Sequence, residues 1–423
     1  METVLLLGLM IFFILINMPI AFAIGVAAFA VILFTGLPVM GIVQQMVTSA
    51  DSFSLLAIPF FLLAGFIMDR GGISRRLVNL ATAIVGTIPG GLGHVSILAS
   101  MLFGGVSGSA TADTAAIGSV LIPAMRKAGY NMPFVVALQA SAGTLGMIIP
   151  PSIVMVILGV TANISIGKMF LGGFIPGTIL GLSYIGLMYR HAKRYRYPSL
   201  PGVPSKEIFR RLLSAIPPLI TVVIILMGIV FGVFTATEAG VAAAVYAMVL
   251  AIIYKELKFT DILSLLIQTG RTTGMVMLIV GTASLFGWVM TILRLPEALT
   301  NLLPMGASPF YVFFMINILL ILIGTFLDPT PIIIILVPLL MPIVNKFGID
   351  PVHFGVVFSV NMLIAQISPP AGVPLFVACG IADVPIAKVF LPVVPFIVAS
   401  FAVLMLITYV PWLVLFIPDL LMK

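Results

Sequence analysis

The chain has 423 residues, 61% of them hydrophobic and 8% charged, with a formal net charge of +7. A soluble domain carries about 25% charged residues, so this chain cannot cover a water-facing surface and its exterior must meet lipid. A nucleic-acid-binding role gains nothing from the positive balance, because biased placement of Lys and Arg in membrane proteins accounts for it.

Apolar runs of spanning length recur along the whole chain, and roughly ten helical spans fit. The runs are continuous rather than alternating every second residue, which argues against barrel strands. Met1-Glu2-Thr3 lacks the positive segment of a cleaved signal peptide, so the first run reads as a span. In chain order we expect spans at 3–17, 20–35 and 54–69, a hairpin at 91–126, a broken span at 132–160 and a span at 168–190. The order then recurs: spans at 213–233, 238–254 and 264–292, a hairpin at 310–345, a broken span at 352–380 and a span at 388–411. The segments 73–88 and 293–304 place Arg75, Arg76, Arg294 and Glu297 among apolar residues, as interfacial amphipathic helices do.

The recurrence extends to individual residues. Pro369-Pro370, Gly324, Thr330, Pro342, Lys346 and Gly348 each lie 219 positions after Pro150-Pro151, Gly105, Thr111, Pro123, Lys127 and Gly129. An internal repeat follows, with halves at 1–204 and 205–423. The basic linker Arg190–Arg196, continuing through Lys206, Arg210 and Arg211, is placed in the cytoplasm. Five full crossings per half then invert the second half and leave both termini periplasmic. The expected fold is an all-α polytopic membrane protein of two inverted repeats, each with five spans and one re-entrant hairpin. This is a transporter architecture.

The chemistry is concentrated where polar residues interrupt apolar runs. The first hairpin turns at Gly104-Gly105-Val106-Ser107-Gly108-Ser109-Ala110-Thr111-Ala112-Asp113-Thr114, and the second at Gly324-Thr325-Phe326-Leu327-Asp328-Pro329-Thr330. Freed backbone groups are costly in lipid and tolerated where they line a cavity. Helix ends there offer carbonyls and hydroxyls to a hard cation, and N–H groups to an anion. The broken spans supply facing walls: Gly143-Thr144 with Pro150-Pro151-Ser152, and Asn361, Gln366 and Ser368 with Pro369-Pro370-Ala371-Gly372. Intramembrane acids are functional by default. Asp113 and Asp328 carry that reading, beside the plainer one that each caps the outward arm of its hairpin. Ser107 and Ser152 could equally bond back to helix carbonyls. His94, His191 and His353 are scattered without metal-ligand spacing, the single Cys379 has no partner for an internal disulfide, and no phosphate-binding loop supports ATP hydrolysis.

These motifs resemble the large membrane subunit of tripartite ATP-independent periplasmic (TRAP) transporters. The resemblance rests on the tip 104–114, Leu121-Ile122-Pro123-Ala124-Met125, Ile149-Pro150-Pro151-Ser152, Ile58-Pro59-Phe60-Phe61 and Ser368-Pro369-Pro370-Ala371-Gly372-Val373, and it spans essentially the whole chain. It implies an elevator-type fold and a non-enzymatic role in the bacterial inner membrane. The implied activity is import of an organic acid such as a C4-dicarboxylate, sialic acid or another sugar acid. It also implies coupling to Na⁺, a separate small four-helix membrane subunit and a periplasmic substrate-binding protein. Two Na⁺ sites are expected, one around Ser107, Ser109, Gly143 and Thr144, the other around Gly324, Thr325, Asp328 and Gln366. Substrate is expected at Ser107, Ser152, Asp328 and Thr330. Two other readings stand beside this one: a carrier that needs no binding protein, such as a divalent-anion symporter or an ion antiporter of related fold, and a structural subunit that transports nothing.

Overall fold

The computed structural model describes residues 2–295, 308–369 and 372–422, and these are helical throughout, with no strand among them. In the first half the helices are α1 (Glu2–Leu15), α2 (Ile20–Thr35), α3 (Met40–Ala50), α4 (Ala57–Arg70), α5 (Ile73–Val85), α6 (Gly91–Ser107), α7 (Ala110–Lys127), α8 (Met132–Thr144), α9 (Ile153–Ala162) and α10 (Ile166–Tyr195). In the second they are α11 (Ser205–Val230), α12 (Ala236–Ile253), α13 (Phe259–Ile292), α14 (Pro309–Gly324), α15 (Pro329–Lys346), α16 (Pro351–Ile367), α17 (Val373–Ala382), α18 (Phe390–Tyr409) and α19 (Trp412–Leu421). Among the described residues, six helices are long and apolar enough to cross a membrane, and α4 with α5 makes a seventh candidate bent by 68°. The shorter apolar helices pair across breaks. This is a multi-pass helical membrane protein.

Local sequence explains where the helices begin and end. Asn131 caps α8 by accepting from the Phe134 amide at 3.2 Å, and Asp350 caps α16 by accepting from the His353 amide at 2.9 Å. Asn163 and Asp383 end α9 and α17 in the left-handed conformation, which short polar side chains tolerate. Gly72, at φ +66°, makes the bend between α4 and α5, and the Glu256 carboxyl fills the space beside it. Amphipathic α5 buries Ile73, Leu77, Val78, Leu80 and Ala81 and lies against α6 and α11. Of the second expected interfacial segment, only 293–295 falls among the described residues.

Three elements differ from the sequence expectation. Residues 40–50 form α3, where no helix was expected, and 412–421 form α19, a further helix beyond the last span expected at 388–411. The helix expected at 213–233 begins at Ser205, because Glu207 pairs with Arg210 and Arg211, both at 3.1 Å, and so supports an extra polar turn.

The halves pack reciprocally. Helix α2 lies along α13 and α12 along α4; α17 packs on α7, and α9 on α15. Within each half the first hairpin arm lies against the first part of the broken helix, α6 on α8 and α14 on α16. Four helix N-termini, those of α7, α9, α15 and α17, therefore meet near the centre.

Candidate functional site

A central cavity of about 400 Å³ lies where the two hairpin turns face each other. Its walls come from Gly108, Ser109, Ala110 and Thr111 of the first turn and Asp328, Pro329, Thr330 and Pro331 of the second. Gln366 and Val373 come from the second broken helix, and Met147 and Ile153 from the first. Thr272, Val276 and Ile279 of α13, with Ile58 and Leu62 of α4, close the other side. Among the described residues, no Lys or Arg lines it. The favourable field for an anion comes from the helix N-termini, whose free N–H groups and dipoles are positive.

The first turn is held by close backbone approach. Gly108 adopts φ +65°, and a Cβ there would sit 2.8 Å from the Pro151 carbonyl. Its own carbonyl accepts from the Ile153 amide at 3.3 Å, fastening the turn to α9. Ser109 caps α7, accepting from the Ala112 amide at 3.4 Å. Since Ser109 is the cap, Asp113 is not: its fully buried carboxylate turns inward and accepts a hydrogen bond from the Ser107 hydroxyl. The other oxygen, Oδ2, lies against the backbones of Gly104 and Gly146 and has no hydrogen-bond partner. Thr114 Oγ1 beside Gly143, and Ser141 Oγ, are also buried without partners. A side chain at Gly143 or Gly146 would fill this space.

The second turn is built differently. Asp328 stands at the cap position of α15 but makes no capping hydrogen bond; its Oδ1 accepts from the Gln366 amide at 3.3 Å. Thr325 donates back to the Ile321 carbonyl at 2.8 Å. Gly324 packs on α16, where a Cβ would be 2.6 Å from that of Ala365. Asn361 points away from the cavity, donating to Asn317 Oδ1 at 2.9 Å. Pro370 and Ala371 lie outside the described residues.

The expected site residues therefore separate into two layers. Ser109, Asp328, Thr330 and Gln366 line the cavity. Ser107, Gly143, Thr144 and Ser152 are buried behind the first turn, with Thr144 donating to the Ser141 carbonyl at 2.8 Å and Ser152 donating to Met147 at 2.7 Å while capping α9. Gly324 and Thr325 stand behind the second turn. Thr111 and the α13 residue Thr272 join the lining without having been expected there. Thr272 lies in a long apolar helix, and no local motif marks it.

Residues 7–413 match the family model described as tripartite ATP-independent periplasmic transporter, DctM component. The chain belongs to this family. It is 40% identical to the 2,3-diketo-L-gulonate TRAP transporter large permease protein YiaN of Escherichia coli, over 98% of each chain. It is 38% identical to the sialic acid TRAP transporter large permease protein SiaM of Vibrio cholerae, covering 96% of this chain and 95% of that one. Against the C4-dicarboxylate large permease of Pseudomonas aeruginosa the identity is 38%, over 93% and 92%. In fold, this DctM-family chain is similar to the Alcanivorax borkumensis YdaH transporter, with a TM-score of 0.63 over 88% and 87% of the two chains at 14% identity. The chain is thus a TRAP transporter large permease, and the three relatives just named are described as TRAP transporter large permease proteins.

Proposed function

We propose that this permease imports an organic acid anion in symport with Na⁺, and that the central cavity between the two turns is its substrate site. The observation that carries the reading is the cavity itself, a largely apolar chamber into which a few hydroxyl, amide and carboxylate side chains and four helix N-termini converge. Its volume of about 400 Å³ falls in the range of small-molecule sites. Ser109, Thr111 and Thr330 offer hydroxyls to the anion, and the N-termini of α7, α9, α15 and α17 offset its charge.

The donor set also fits a hard cation, which takes oxygen ligands. Behind the first turn, the unpartnered oxygens of Asp113, Thr114 and Ser141 and the hydroxyl of Ser107 would hold one Na⁺, with Ser109, Gly143 and Thr144 close by. At the second, Asp328 would hold another, with the released carbonyls around Gly324 and Thr325 and the side chain of Gln366. Bound Na⁺ would neutralise carboxylates that otherwise sit inside the membrane without a counter-charge. One net inward charge gains about 2.3 kcal/mol per 100 mV.

We read the halves 1–204 and 205–423 as inverted repeats, with hairpins and broken helices sliding as a block past a scaffold of α1–α4 and α11–α13. The reciprocal packing of α17 on α7 and α9 on α15 supports this division. A periplasmic binding protein would deliver the acid, and a small membrane subunit would join the scaffold. The setting would be the bacterial inner membrane with both termini periplasmic, as the basic stretch from the end of α10 to Arg211 suggests.

Reconstitution tests the reading. Vesicles holding the permease and its two partners are given the acids named for its relatives: 2,3-diketo-L-gulonate, sialic acid, a C4-dicarboxylate and isethionate. At least one should accumulate when Na⁺ is outside. Equal uptake after K⁺ replaces Na⁺ would overturn the coupling, and uptake without a binding protein would favour a simpler carrier.

A further inference from the structure

A second chamber lies away from the transport cavity, at the end of α10 that leads into the basic linker. It has a volume of about 580 Å³. Arg190 stands on its rim, and Lys193 and Arg194 follow it there one helical turn along α10. Three like charges so placed repel one another, yet no carboxylate among the described residues forms an ion pair with any of them. Lys193 and Arg194 fold back on the rings of Tyr189 and Tyr195, at 5.5 and 5.9 Å from their centroids.

The floor of the chamber is apolar. Phe134 of α8 and Phe396 of α18 line it. His191 lies flat on Phe134, with ring centroids 3.5 Å apart, and its Nε2 is buried without a partner. The site thus has a cationic rim, one unsatisfied imidazole nitrogen and an aromatic base between the ends of three helices. Charge at the terminus of α10 could be explained as complementing its dipole, but that accounts for neither the hollow nor its aromatic floor. Phe134 and Phe396 are themselves buried, but Leu187, Tyr189 and Pro395 form a partly exposed apolar wall beside the rim, which a free phosphate would leave uncovered. An amphiphile with an anionic head fits both parts.

We propose that this chamber binds an anionic phospholipid, its phosphate on Arg190, Lys193 and Arg194, and its acyl chain along Leu187, Tyr189 and Pro395. Basic pockets between membrane helices near the bilayer surface suit such headgroups. The site is separate from the proposed substrate cavity and requires only that the chain be embedded in a bilayer.

The test uses the full chain, purified in detergent and stripped of lipid. Phosphatidylglycerol, phosphatidylcholine and inorganic phosphate are titrated in turn, with native mass spectrometry reading bound lipid and thermal unfolding reading stabilisation. Phosphatidylglycerol should bind at least about tenfold more tightly than phosphatidylcholine, given roughly 1 kcal/mol per basic residue. The preference should vanish in the triple variant Arg190→Gln/Lys193→Gln/Arg194→Gln and persist in Lys206→Gln/Arg210→Gln, which changes charge outside the chamber. The charge-preserving Arg190→Lys/Arg194→Lys variant should retain it, which separates lost binding from lost folding. Equal binding of the two lipids, an unchanged preference in the triple variant, or inorganic phosphate competing phosphatidylglycerol away would each overturn the proposal. Transport of the organic acid is not read, so failure here leaves the substrate site untouched.

Discussion

Asp113 poses the sharpest question at the level of single residues. A buried ionised carboxylate costs several kcal/mol unless it is paired. The Ser107 hydroxyl satisfies one oxygen and leaves Oδ2 without a partner, against two glycines. A bound cation would remove that cost. Asp113→Asn keeps an acceptor for Ser107 and deletes the charge. Folded yield should persist while Na⁺-dependent uptake falls at least about tenfold, the equivalent of about 1.4 kcal/mol; uptake equal to wild type would remove Asp113 from the cation site. Gly146→Ala tests the same space sterically, since its methyl would meet Asp113 Oδ2 and the Gly104 backbone. Overpacking of that kind costs about 1–3 kcal/mol, read as a lowered thermal midpoint in detergent. The direction in which Asp113 points was not legible from the sequence. Ser107, Ser109 and Asp113 could each cap α7 by type and spacing. The choice depends on room created by Gly104 and Gly146, which are far apart in the chain. Asp328 was more legible, because the Pro after it fixes the helix start and leaves its carboxylate free to turn toward Gln366.

At the level of elements, most boundaries followed from local signals. Pro, Asn, Asp and Gly punctuate the apolar runs, and the caps Asn131 and Asp350 stand within two residues of the broken-span starts expected at 132 and 352. Helix α3 escaped for the opposite reason: Gln44, Gln45, Thr48 and Ser49 look like a loop between two spans. Its placement depends on α13, against which it lies. Its exposed Met40, Val43 and Val47 share one side, while Gln45 and Ser49 line a cavity on the other. Gln44 and Thr48 are exposed beside those apolar side chains, so the outward side is mixed and carries no clear period. Another element-level contact joins the halves. The Arg126 guanidinium, on α7, donates to the carbonyl of Ala382 at the end of α17. Charged hydrogen bonds contribute about 1.5–3 kcal/mol, so Arg126→Ala should lower the unfolding midpoint, while Arg126→Lys should restore part of it. An unchanged midpoint in the Ala variant would show that water replaces the contact.

For the whole molecule, the reciprocal packing makes a claim about motion. If the hairpins and broken helices travel together, contacts inside that block persist and those to α13 change. Cys379 is the single cysteine, so a Cys379→Ser background is free of native thiols. In that background, Ile279→Cys with Val373→Cys places thiols on lining positions of the cavity, one on α13 and one at the start of α17. A short bifunctional thiol reagent should arrest uptake there. The same reagent on Arg126→Cys with Ile381→Cys, both within the proposed block, should leave uptake above about half; arrest of both pairs alike would contradict a rigid moving block. The pairing of α2 with α13 and α12 with α4 was beyond the sequence, since apolar surfaces of similar composition do not specify their neighbours.

The absence of Lys and Arg from the cavity wall has a kinetic consequence. An anion that arrives first meets the carboxylate of Asp328 unmasked, with only helix ends to offset the repulsion. Under the proposed coupling, the cation must therefore load before the acid, and the cycle is ordered. The half-saturating concentration of the acid should fall steeply as external Na⁺ rises, while the maximal rate at saturating acid stays nearly constant. A permease built this way would hold its cargo weakly in a Na⁺-poor interior, and release would need no separate device.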